Sequence, residues 1–162
     1  MHILMETFSN ACFSATFHWE DGLLSGIDLA PGLRPSTRPQ SPFGVELALI
    51  VENYALLDKD EWPELPLATR GMSPFSLRVL GHLREHVTRG TWTTYKQLAA
   101  ACASPRGARA VGRVMASNPW PLVFPCHRVL AVRGLGGFGP GLDLKRALLN
   151  LEGVCPPLQR PT

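Results

Sequence analysis

No apolar run in this chain of 162 residues approaches the ~18 residues that a membrane span needs. No charged segment leads into a short apolar run as a secretory leader does. The expectation is a soluble globular protein of a reducing, cytoplasmic compartment, without a membrane partner. Close cysteine spacing is missing too: Cys12, Cys102, Cys126 and Cys155 include no CxxC pair, which argues against a metal knuckle. Two disulfides are possible arithmetically, but free thiols suit a reducing compartment better. The glycine-rich stretch 134–141 lacks the Gly-Lys-Ser/Thr of a Walker A loop. Nor does it open a helix as Gly-x-Gly-x-x-Gly would, so phosphate cradling is not expected. There are no internal repeats. The net charge of only +3 permits a nucleic-acid partner without demanding one.

The length allows one ordinary domain or two small ones, with 45% hydrophobic and 18% charged residues. Charge is unevenly placed. Arg106, Arg109, Arg113, Arg128, Arg133, Lys145 and Arg146 lie in the second half, while Glu46, Glu52, Asp58, Asp60, Glu61 and Glu64 crowd the first. That asymmetry predicts a basic working surface in the C-terminal half.

Along the first 71 residues, Phe13, Ala15 and Phe17 alternate with Ser14, Thr16 and His18, and Glu20-Asp21-Gly22 supplies a turn. The pattern predicts a β-hairpin over residues 11–29. The proline-rich segment 30–42 predicts a surface loop. Val45, Leu49, Ile50 and Leu56-Leu57 predict one amphipathic helix over 43–57, followed by a connecting segment at 62–70.

A second regime begins at residue 72. Ser73 as N-cap with Pro74 at the first helical position predicts a helix carrying Phe75, Val79, Leu80, Leu83 and Val87 to a stop at Gly90. Thr94 and Gln97 fit a capping box that opens a short helix through about Ala101. Ser104-Pro105 predicts the start of another, with Ala108, Val111, Gly112 and Met115 inward and Arg106, Arg109 and Arg113 on the opposite face. Two short helices, the second basic on its outer face, describe a helix-turn-helix or an αα-hairpin with a solvated arginine stripe. The small residues Ala108, Ala110 and Gly112 suit either approach to a nucleic-acid groove or close packing. A strand is expected to lead from Pro121 to Cys126, the glycine-rich loop follows, and a last helix runs from Leu142 to about Glu152. Beyond Gly153 a poorly ordered tail is expected.

Within Pro121-Leu-Val-Phe-Pro-Cys126-His127-Arg128-Val129-Leu130, a thiol stands beside a histidine. Such a cysteine is a candidate nucleophile, since a nearby base or cation favours thiolate. Adjacency alone equally describes a buried cysteine whose histidine makes local hydrogen bonds.

The surrounding blocks shift that balance. Pro125-Cys126-His127-Arg128-Val129 resembles the active-site signature of the O6-alkylguanine-DNA alkyltransferases. Pro74-Phe75, Thr94-Tyr95-Lys-Gln-Leu-Ala, Arg109-Ala-Val, Asn118-Pro119, the glycine-rich loop and Lys145-Arg-Ala-Leu-Leu-x-Leu-Glu152-Gly resemble family blocks in the same order and spacing. The resemblance covers residues 72–154. It implies an α/β (α+β) chain with two domains: an N-terminal sheet-plus-helix scaffold (1–71) and a mainly helical domain with a winged helix-turn-helix-like motif (72–162).

The resemblance further implies a one-use alkyl acceptor. Cys126 attacks the alkyl carbon, His127 deprotonates it through a bridging water, and Glu152 orients and charges the histidine. Tyr95 stabilises or protonates the leaving guanine, and Asn118 fixes a hinge beside the active site. Pro121, Val129, Phe138, Gly139 and Pro140 would wall the base pocket. Arg109 would fill the gap left by a flipped base, with Ala108, Tyr95, Arg106, Arg113 and Arg128 also at the DNA. The implied partner is double-stranded DNA carrying O6-alkylguanine, or O4-alkylthymine, met from the minor groove by a monomer. No cofactor is implied. Some relatives hold zinc through N-terminal cysteines and histidines, but Cys12, His2 and His18 give no match, so no metal is expected.

Arg113 is bulkier than the family pattern, and the loop 134–141 is about one residue shorter, with Pro140 stiffening it. Rival readings are an alkyltransferase-like damage-recognition protein, a helix-turn-helix transcription regulator and a cysteine hydrolase. The first replaces the cysteine that is present here as Cys126, and the second needs base-reading side chains where small alanines stand.

Overall fold

Alternating buried side chains build an antiparallel sheet in the order β1-β2-β3, from β1 (Ile3–Ser9), β2 (Phe13–Glu20) and β3 (Leu23–Pro31). The computed structural model describes residues 1–155. The chain divides into two units, Met1–Arg70 and the chain from Gly71 on. In the first unit Phe13, Ala15, Phe17 and Trp19 are buried along β2, as the period of two predicts. Asp21 and Gly22, both at positive φ, make the tight turn into β3.

Strand β1 escaped the sequence reading because a charged residue occupies its inner side. Glu6 is fully buried. Its carboxylate accepts from Trp19 Nε1 at 3.0 Å, from Ser41 N at 2.8 Å and from Gln40 N, so it ties the proline-rich loop to the sheet. Gly44 follows from that contact, since a Cβ there would stand 2.5 Å from Glu6 Oε1.

The single helix expected over 43–57 is helix α1 (Gly44–Glu52) and a separate 3-10 turn, Tyr54–Leu56. Asn53 divides them: both its backbone N–H and its side-chain Nδ2 bond the Leu49 carbonyl, which closes the helix.

In the second unit, α2 (Pro74–His86) starts where predicted, with Ser73 Oγ accepting from Ser76 N at 3.1 Å. Helix α3 (Tyr95–Ala101) carries the full Thr94–Gln97 capping box. Helix α4 (Ala108–Ala116) starts later than expected. Ser104 to Gly107 form a turn closed by Gly107 N donating to Ser104 O at 2.7 Å, so Arg106 precedes the helix rather than sharing its arginine face.

The strand expected before Cys126 is absent from the described residues. Residues 120–124 are turns, and Leu122 takes φ +74°, a conformation that costs a non-glycine residue about 1–2 kcal/mol. Cys126–Arg128 is a 3-10 turn, followed by the short β5 (Val129–Leu130). Strand β5 pairs in parallel with β4 (Thr93–Thr94), Thr93 facing Val129 and Thr94 facing Leu130. Two rungs therefore place the start of α3 beside the Cys126 turn.

Helix α5 (Leu142–Leu151) ends at Glu152. Gly153 at φ +76° lets Val154 N reach back to Leu149 O at 2.9 Å. Val154 is buried with Leu130, Leu135 and Leu149, so order extends past Gly153. The rest of the expected loose tail, 156–162, lies outside the described residues. Among the described residues no helix is long and apolar enough to cross a membrane.

Candidate active site

Three elements converge on the Cys126 turn: the 3-10 turn itself, the start of α3 and the end of α5. Cys126 is buried at 6% exposure, and His127, Arg128, Lys145 and Glu152 are buried with it. So many polar side chains out of water persist only when they satisfy one another.

Glu152 is the centre of that satisfaction. Its Oε1 lies 2.7 Å from His127 Nε2 and 2.9 Å from Arg128 Nη2, and its Oε2 accepts from Arg128 Nε at 2.8 Å. Arg89 adds a second guanidinium, with Nη1 4.0 Å from Oε1 and Nη2 donating to Leu151 O at 3.4 Å. Burial pushes the Glu152 carboxyl up, but the opposing pull of His127 and Arg128 is larger and holds it well below the usual carboxylate range. The carboxylate is therefore charged. It fixes the imidazole with Nε2–H towards Glu152, which leaves Nδ1 as the nitrogen able to accept a proton.

Burial pushes the Cys126 thiol up. A hydrogen bond with the Asn118 side chain, the Lys145 charge and the backbone N–H groups of Cys126 and His127 pull it back only in part. Burial favours the thiol, so reaction requires a base at the moment of attack.

Asn118 stands at the elbow between α4 and the turn. Its Nδ2 donates to Phe124 O at 2.8 Å, and its Oδ1 accepts from Trp120 N at 3.0 Å. One side chain thus pins the turns that carry Cys126. Tyr95, half-buried, donates from Oη to Gly137 O at 3.4 Å. Its phenol is raised by burial, lowered by that bond and raised again by Cys126, which places the phenol within electrostatic reach of the thiol.

Two groups escaped the sequence reading as site residues. Lys145 was counted with the basic surface, yet it is fully buried and donates to Val129 O at 2.7 Å and Gly137 O at 2.9 Å. Desolvation lowers its ammonium to about 8, against a raising influence from Cys126. Its position three and four residues before the apolar Leu148 and Leu149, on their face of α5, was the available signal. Gly136, at φ +72°, is the other. A Cβ there would stand 2.7 Å from Tyr95 Cε2, so the glycine-rich loop lies directly on the phenol ring.

Arg128 requires a correction. Expected at the DNA, it is fully buried on Glu152 and on Val87 O at 2.9 Å, so no part of it faces a solvent-side partner. Arg106, Arg109 and Arg113 are exposed, and Ala108 and Gly112 are half-buried. A Cβ on Gly112 would meet nothing within 4 Å, so packing does not require that glycine. Pro121 and Val129 are buried, Phe138 and Pro140 are half-exposed, and Gly139 is exposed. The pocket residues therefore run from interior to surface.

Residues 74–154 match the family model described as 6-O-methylguanine DNA methyltransferase, DNA binding domain. The methylated-DNA–protein-cysteine methyltransferase of Thermococcus kodakarensis is 37% identical over 130 residues, 80% of this chain and 68% of that one. The chain belongs to the O6-methylguanine-DNA methyltransferase family. The fold agrees with members of known structure. The O6-methylguanine-DNA methyltransferase of Pyrococcus kodakaraensis strain KOD1 aligns with TM-score 0.70 and 26% identity, over 94% of this chain and 100% of that one. The OGT protein of Mycobacterium tuberculosis in complex with DNA aligns with TM-score 0.70 and 28% identity, over 90% of each chain. The relatives are named for transfer to a protein cysteine.

Proposed function

We propose that this protein repairs DNA by direct reversal, moving the alkyl group of O6-alkylguanine irreversibly onto Cys126. The observation that carries the reading is the buried relay behind the thiol, with His127 Nε2 2.7 Å from Glu152 Oε1. In the transfer, the bond from the alkyl carbon to O6 breaks and a bond to Cys126 Sγ forms. The thiol proton passes through a water to His127 Nδ1, and the guanine anion takes a proton at the ring, with Tyr95 as its donor. The products are a thioether and guanine. No base removes the alkyl group again, so each molecule acts once.

A base stacked in a duplex is out of reach of the thiol of Cys126, a buried residue, so the nucleotide leaves the stack. Arg109 on α4 fills its place from the minor groove, and Ala108 and Gly112 keep the helix narrow beside it. Arg106 and Arg113 meet phosphates. Pro121, Val129, Phe138, Gly139 and Pro140 wall the flipped base, with Lys145 holding the glycine-rich loop through Gly137. The protein acts as a monomer on double-stranded DNA.

The test is a titration of duplex containing one O6-methylguanine with increasing protein. Restoration of guanine that rises linearly and stops at one lesion per protein molecule supports the reading. Repair of many lesions per molecule, or none by reduced protein, contradicts it.

A further inference from the structure

The proposed reaction gives a part to each polar side chain of the Cys126 turn except Arg128. That residue is fully buried, and its fork takes both oxygens of Glu152, Nε to Oε2 at 2.8 Å and Nη2 to Oε1 at 2.9 Å. Oε1 is the same oxygen that meets His127 Nε2 at 2.7 Å. One carboxylate therefore serves an imidazole and a guanidinium together.

A carboxylate facing a histidine favours the imidazolium, because an opposite charge at that distance stabilises the charged ring. An imidazolium is a spent base and cannot take the thiol proton. A guanidinium paired through two bonds to the same carboxylate offsets its charge and places a like charge near the ring. We propose that Arg128 is a positioning residue that shares Glu152 with His127 and so limits how strongly the carboxylate favours the imidazolium, leaving neutral imidazole available to accept the Cys126 proton.

Other charged or titratable groups surround the pair. Arg89, after α2, lies 4.0 Å from Oε1 and acts in the same sense from farther away. Cys126 precedes the ring on its own turn. Lys145 on α5 and Tyr95 on α3 are both electrostatically coupled to that thiol. The inference rests on the proposed alkyl transfer.

The experiment measures single-turnover transfer from O6-methylguanine duplex against pH for the wild-type protein, Arg128→Gln and Arg128→Lys. The His127 ring is titrated by NMR in the same three proteins, its signal assigned by loss in His127→Gln. In Arg128→Gln the acid limb of the rate profile moves up by about one pH unit. Transfer on the acid side of the profile then falls by up to about tenfold, the deficit closes in alkali, and the ring titration moves the same way. Arg128→Lys, which keeps the charge without the fork, falls between. A uniform loss at every pH with an unmoved ring titration overturns the proposal and leaves Arg128 a purely structural residue. A wild-type protein that transfers nothing at any pH refutes the alkyl-transfer reading instead, while the ring titration still decides what Arg128 does.

Discussion

Glu152 closes on His127 at 2.7 Å across twenty-five residues of chain, joining the end of α5 to the turn that carries the thiol. The pair is fully out of water, so its two members depend on each other for satisfaction. Glu152→Gln keeps the shape and removes the charge. The expected outcome is a loss of transfer of about a hundredfold, within the usual worth of general-base assistance, with the product unchanged. Single-turnover kinetics on duplex substrate check it.

The same carboxylate makes stability depend on acid. Its folded pKa is depressed, so its pairing contributes fully above the unfolded value of about 4.3 and is lost as pH falls through the lower folded value. Urea unfolding at neutral pH is predicted to show Glu152→Gln about 3–5 kcal/mol less stable than the wild-type protein. The gap should narrow progressively below pH of about 4.

Lys145 gives the opposite end of the pH scale. Its folded value of about 8 lies below the unfolded value of about 10.4. Between them the unfolded chain binds more protons, so stability rises with pH through that window. Lys145→Met lacks this gain, and unfolding measured at pH of about 7.5 and about 10 is predicted to show the wild-type protein gaining on the variant.

Gly136→Val would drive a side chain into Tyr95 at a backbone φ of +72°. The glycine-rich loop and the phenol are expected to separate. Transfer should fall by about tenfold or more, since a displacement near 1 Å at a reacting group costs up to about a hundredfold. Hydrogen exchange of the Gly137 and Phe138 amides should speed up in the same variant.

At the DNA surface, Arg109→Ala is expected to reduce repair in duplex far more than reaction with free O6-alkylguanine, because only the duplex requires extrusion of the base. Arg113→Ala and Arg106→Ala should each reduce the slope of log affinity against log salt by about one, as loss of one phosphate contact does.

Residues whose local signal is strong were readable from the chain. Ser73-Pro74 and the Thr94–Gln97 box announced their helices, and Asp21-Gly22 announced its turn. The pairing of Glu152 with His127 followed only from family resemblance, since nothing in spacing brings the end of one helix to a turn twenty-five residues earlier. Charge misled twice. Glu6 hid β1, and Arg128 and Lys145 were read as surface because long cations are rarely fully buried. Their partners are a carboxylate and backbone carbonyls, which local sequence does not display. For Cys126 the neighbouring histidine is visible in sequence, but the depth of burial that favours the protonated thiol is not.

In the proposed reaction Cys126 itself accepts the alkyl group. Reduced protein is incubated with duplex containing O6-methylguanine, and its intact mass and peptide masses are recorded beside those of Cys126→Ser. The expected result is a gain of one methylene unit per molecule, located on Cys126, with no gain in Cys126→Ser although that variant still binds the duplex. An unmodified Cys126 in protein that has restored the guanine, or the same gain on another residue, would contradict it.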